Sequence, residues 1–116
     1  MKKYFFLASI TASVFVLTNC HSTKKAATEP VVAKATYQTD VQNLVLNNCS
    51  PCHIHAKGGR VKPLDTYDAL KANIDEVIHR IQLNPGDKGF MPFKRAKLSD
   101  STINVFKKWR DDGLLN

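Results

Sequence analysis

Sulfur is scarce in this sequence, and what there is does not pair. Only three of the 116 residues are Cys and two are Met. An odd number of thiols cannot all close into intrachain disulfides, so an exported fold held by several bridges is not expected. Long apolar runs are missing as well. The most apolar stretch, Tyr4 to Leu17, carries scattered Ser and Thr and falls short of the roughly 20 residues of a permanent membrane helix. No segment alternates apolar and polar residues for long enough to make a strand, and there is no internal repeat or long low-complexity run. Basic residues outnumber acidic ones, 17 to 10, but they form no dense stripe interleaved with aromatics. Nucleic acid is therefore not an expected partner.

A chain of this length is expected to hold one domain. Residues 1–19 read as a signal peptide: Lys2 and Lys3 supply the positive end and Tyr4 to Leu17 the apolar middle. An uncleaved N-terminal anchor is the alternative. The segment ends Leu17-Thr18-Asn19-Cys20, which resembles the bacterial lipobox, with Asn19 in place of the usual Gly or Ala. On that reading Cys20 carries lipid, and several acyl chains on one Cys hold a protein to a membrane far more firmly than a single chain does. The expected location is a membrane-anchored lipoprotein facing the periplasm. Residues 20–36 are rich in Ala, Thr, Lys and Val, with one Pro and no aromatic. Such a stretch buries too little apolar surface to offset its ordering entropy, and it is expected to be a flexible tether. Its root-mean-square reach would be roughly 20–25 Å.

The domain proper is expected over residues 37–116, all-α, with three to four helices. The first starts near Thr39 or Asp40, either able to cap it. It places Val41, Leu44, Val45 and Asn48 on one face before running into Cys49. The second lies between Thr66 and Leu83, where Ile74, Val77, Ile78 and Ile81 form a stripe at helical spacing. Pro85-Gly86 ends it, and a break near Asn73 would divide it in two. The third begins at Ser99 or Asp100 and ends at Gly113. Ile103, Phe106 and Arg110 share one side of it, with Val105 and Trp109 beside them. Loops are expected over 54–65 and 84–98.

Cys49-Ser50-Pro51-Cys52-His53 has the Cys-x-x-Cys-His spacing of c-type haem attachment. Two thiols three residues apart can reach the two vinyl positions on one porphyrin edge, and the next residue then offers its imidazole to the iron. Cys49 and Cys52 are thus the expected sites of covalent attachment and His53 the expected proximal ligand. Its second ring nitrogen is expected to donate to a nearby carbonyl. With lipid on Cys20 and one covalent haem on the other two cysteines, all three thiols are accounted for. Three other readings compete: a thioredoxin-like redox pair, which wants a βαβ setting; a zinc site using Cys49, Cys52, His53 and His55, which lacks a distant second pair; and a disulfide closing a loop too small to stabilise much.

After signal removal Met91 is the only Met left. It lies in Gly89-Phe90-Met91-Pro92-Phe93, where Pro92 stiffens the backbone. Met91 is the expected second iron ligand, and a thioether there raises the reduction potential; an ordinary core Met is the alternative. His79 falls opposite the apolar stripe, His55 sits too near His53, and His21 lies in the tether. Leu64, Tyr67, Leu70, Ile74, Ile78 and Leu98 are candidate pocket walls or plain core. Trp109 is expected to fill the junction of the first and last helices. Lys57, Arg60, Lys62, Lys94, Arg95 and Lys97 would frame the haem edge, holding propionates, steering an acidic partner, or simply facing solvent. Without Lys2 and Lys3 the formal charge falls from +7 to +5, and two ionised propionates would lower it to about +3.

From Tyr37 onward the chain resembles class I cytochrome c domains, especially the short membrane-associated bacterial kind. Asp40-Val41, the Cys-x-x-Cys-His segment and Leu64-Asp65-Thr66-Tyr67 occur in the expected order. Asn84-Pro85-Gly86-Asp87, Met91-Pro92, Leu98-Ser99 and Trp109-Arg110-Asp111-Asp112-Gly113 follow. The resemblance implies first and last helices packed together beside a haem held by His53 and Met91. It also implies one-electron transfer rather than catalysis. An oxidase, a reductase or a dehydrogenase would each serve as the redox partner, and a monomer is the default expectation for a chain this small. The alternative is a haem enzyme or gas sensor with an open sixth iron position, peroxidase-like in chemistry.

Overall fold

The computed structural model describes residues 32–116; the expected signal peptide, Cys20 and His21 lie outside them. Among the described residues the regular structure is helical. A π-helical turn, Tyr37–Val41, runs directly into α1, Gln42–Asn48. After a short 3-10 turn at His55–Lys57 come α2, Tyr67–Lys71, and α3, Ile74–Gln82. The last helix, α4, is Asp100–Asp111. There is no strand among these residues, only a parallel bridge between Thr36 and Leu115. No helix among them is long and apolar enough to cross a membrane.

Short polar side chains start three of the helical segments in the same way. The hydroxyls of Thr36, Thr66 and Ser99 accept from the backbone N–H three residues on, at Thr39, Ala69 and Thr102, satisfying donors that the helix leaves orphaned. The first start differs from expectation. Thr36, not Thr39 or Asp40, is the cap, and the Asp40 carboxylate reaches back to accept from the Thr36 N–H at 2.8 Å. The break near Asn73 is present: the Asn73 side chain donates to the Ala69 carbonyl and its N–H to Leu70, ending α2 just before α3 begins.

The core is built from one side of each helix. Val41 and Val45 are fully buried, as are Phe106 and Trp109 on α4. On α4 the buried side is Ile103, Phe106 and Trp109. Arg110, expected among them, sits at the edge and pairs with Asp75 at 3.5 Å. α4 packs against α3 and against the π-turn, so it is the start of the first helical segment that meets the last helix.

Three rings join the two ends of the domain. Trp109 lies 6.0 Å from Tyr37 and 6.2 Å from Tyr67, centroid to centroid, and the two tyrosines are 5.7 Å apart. Aromatic clusters at such spacings add to simple burial. Each polar tip finds a backbone carbonyl: Trp109 Nε1 donates to Leu115, Tyr67 Oη to Leu114 and Tyr37 Oη to Asp65. Ala35, assigned to the tether by composition, is buried in this corner, and its N–H donates to the Asp112 carboxylate. That bond and the neighbouring Lys108 ammonium hold the Asp112 carboxyl below its ordinary pKa, Lys108 having the larger effect.

Candidate functional site

α1 delivers Cys49 as its C-terminal cap, with the Cys49 N–H donating to Val45. The chain then turns tightly, and the His53 N–H donates to the Cys49 carbonyl at 3.0 Å. Cys49 is half-buried and Cys52 exposed; both thiols are free. Burial pushes the Cys49 thiol up to about 11, Arg95 opposing the shift, so it is neutral at ordinary pH.

The loop that follows folds back onto this turn. Leu64 N–H donates to the His53 carbonyl at 3.0 Å, and Gly59 N–H to that of Ile54. Gly59 is required by close approach: a Cβ there would lie 2.5 to 2.8 Å from the carbonyl oxygens of Cys52, Pro51 and Ile54. The returning strand of loop also orients His53. Its Nδ1 is 2.7 Å from the Lys62 carbonyl oxygen. A carbonyl only accepts, so Nδ1 carries the proton and Nε2 keeps its lone pair for another partner.

Beside this turn opens a cleft of about 480 Å³, within the ordinary range for pockets that take a small ligand or cofactor. Cys49, Cys52 and His53 line one part of it, and Met91, 38 positions beyond His53 in sequence, lines another. Leu64, Val77, Ile81, Leu98 and Phe106 make apolar walls. Val61 and Phe93 stand at the rim with 47% and 66% of their surface exposed, marking the side on which the cleft meets solvent.

Of the wall residues expected from sequence, Leu64 and Leu98 line the cleft. Leu70, Ile74 and Ile78 are core and Tyr67 belongs to the aromatic corner. The α3 stripe therefore serves two surfaces, with Val77 and Ile81 facing the cleft. Among the loop cations, Lys62 and Arg95 line it; Lys62 Nζ also donates to Asn73 Oδ1. Arg80 and Glu76 line it too and were not anticipated. His79 is exposed on the far face of α3. His55 donates its N–H to Asp65 and holds its Nε2 3.1 Å from the Val61 carbonyl. Among the described residues no three His, Cys, Asp or Glu side chains gather as a metal-holding cluster, so the zinc reading has no geometric support.

Comparison with protein-family models, curated proteins and solved structures found no match.

Proposed function

We propose that the protein is a one-electron carrier, a monohaem c-type cytochrome of the class I kind. The observation that carries this reading is convergence. A Cys-x-x-Cys-His turn and the distant Met91, the one Met among the described residues, line the same apolar cleft. The residues suit the cofactor: two thiols for covalent attachment, an imidazole nitrogen and a thioether sulfur as axial donors, and apolar walls for a flat macrocycle. Bound there, a haem supplies a ferric/ferrous couple.

The chain's own contributions follow from the site. The Lys62 carbonyl fixes the His53 tautomer and ring plane, leaving Nε2 as the donor atom. Met91 offers sulfur, which favours the reduced state. Around a bound haem, Leu64, Val77, Ile81 and Phe106 would keep water from the donors, and the rim at Val61 and Phe93 would leave one side open for electron exchange with a docked protein. The mature chain's basic excess suits an acidic redox partner. Lipid on Cys20 would keep the carrier at the periplasmic face of a membrane, and Cys20→Ser is expected to move it into the soluble fraction. Continued membrane association would indicate an uncleaved anchor.

The decisive measurement is an absorption spectrum of the exported protein before and after acidified acetone extraction. Haem retained on the polypeptide, sharp low-spin bands on reduction and a near-infrared sulfur–iron band on oxidation are expected. In Met91→Ala that band should vanish and carbon monoxide should bind the ferrous protein readily. High-spin bands in the parent protein would favour the open-site enzyme or sensor, and absence of haem from a competent maturation host would overturn the proposal.

A further inference from the structure

Met91 is carried by a segment between α3 and α4 that has no helix of its own. Its position depends on what ties that segment down, and two arginines do so from opposite ends.

Upstream of Met91 the anchor is Arg80 on α3. Its Nη1 donates to the Gly89 carbonyl at 3.4 Å, while its own carbonyl accepts from the Met91 N–H at 3.2 Å. Glu76, one turn earlier, pairs with Arg80 Nε and holds the guanidinium in place. Gly89 has φ +95°, and a Cβ there would lie 3.3 Å from Arg80 Nη1, so the backbone passes close beneath the guanidinium. Downstream the anchor is Arg95. Its Nη1 donates to the carbonyls of Asn47 and Asn48, at 3.3 and 3.2 Å. These are the last carbonyls of α1, which lack partners within the helix and form its negative end. The next residue is Cys49. Arg80, Arg95 and Met91 all line the cleft.

We propose that Arg80 and Arg95 are positioning residues that pin the Met91 segment to α3 and to the end of α1, and so set how readily an outside ligand displaces the Met91 sulfur. The inference rests on the haem reading above. A ligand that competes with Met91 binds only the fraction of molecules whose segment has swung away, so its apparent affinity scales with that fraction. The arginine bonds exist only while the segment is closed. Removing them raises the open fraction without touching the donor atoms.

The test is imidazole binding to the ferric holoprotein, followed by loss of the sulfur–iron band. Arg95→Ala removes two charged hydrogen bonds at exposed sites and is expected to tighten apparent imidazole affinity about threefold to tenfold. Arg80→Ala, which keeps the backbone bond, is expected to tighten it about threefold to tenfold. In a Met91→Ala background neither substitution should change the affinity further, because there is no sulfur left to displace. Arg95→Lys keeps the charge but places its nitrogen one bond nearer the backbone, short of the two carbonyls. It should show most of the Arg95→Ala effect, and it provides the test if the alanine variant fails to mature. Unchanged affinity in either variant overturns the proposal for that arginine. An equal rise in the Met91→Ala background overturns it for both, since the arginines would then act on the cofactor or the cleft directly. A parent protein without the sulfur–iron band refutes the underlying Met91 assignment instead, before any arginine is changed.

Discussion

Replacing Cys49 and Cys52 together by Ala is expected to reduce haem that survives acidified acetone from one per chain to none. The two thiols are the free cysteines of the described domain and both line the cleft, so no neighbouring thiol among the described residues can substitute. Ala is the informative replacement. The Cys49 thiol is neutral and half-buried, and a Ser hydroxyl there would add a polar group to a site that Cys fills as a small apolar one. Neither side chain is among the fully buried ones, so helical circular dichroism should persist while the extractable fraction changes. Each single variant should retain covalent haem through the remaining thiol, with shifted bands. Haem still fixed to the double variant would place the attachment elsewhere.

Trp109→Ala should have the largest effect on stability. Trp109 is fully buried, touches the Tyr37 and Tyr67 rings, and donates its indole N–H to Leu115 at 2.6 Å. Truncating a buried Trp typically costs about 3–5 kcal/mol, and the Leu115 carbonyl would keep only the Tyr37 N–H as a donor. Against a total of about 5–15 kcal/mol for ordinary domains, that removes much of the margin. Urea unfolding of the holoprotein would measure it. Trp109 does not line the cleft, so the molecules that remain folded should keep the parent spectrum. A Trp109→Ala protein with unchanged stability and altered bands would mean that the indole acts on the site rather than on the scaffold.

The candidate site was legible where its logic is local. Cys-x-x-Cys-His is a five-residue pattern whose members must lie together whatever the fold, and Met91 stood out as the one remaining thioether. Capping was less legible because several neighbouring residues qualify. Thr36, Thr39 and Asp40 can each accept a helical N–H, and the outcome turned on Asp40 bonding back to Thr36. The walls of the cleft were the hardest to read. Ile74, Val77, Ile78 and Ile81 form one stripe at helical spacing, and nothing in the spacing says which edge meets α4 and which meets the cleft. Arg80 and Arg95 illustrate a further limit. The acceptors by which they hold the Met91 segment are backbone carbonyls, which are the same for every residue, so no pattern of residue types reveals such bonds before the chain is folded.

The corner where Tyr37 N–H meets the Leu115 carbonyl, and Ala35 N–H the Asp112 carboxylate, brings residues 35–37 beside residues 112–115. A body whose two ends adjoin can be spliced into a surface loop of another protein without being stretched, since insertion succeeds where termini lie close and exposed. The way into the cleft is formed by other segments, around Val61 and Phe93. Grafted by its paired ends into a host loop, the domain would arrive with its cleft clear of the junction, as a plug-in module rather than a dangling one.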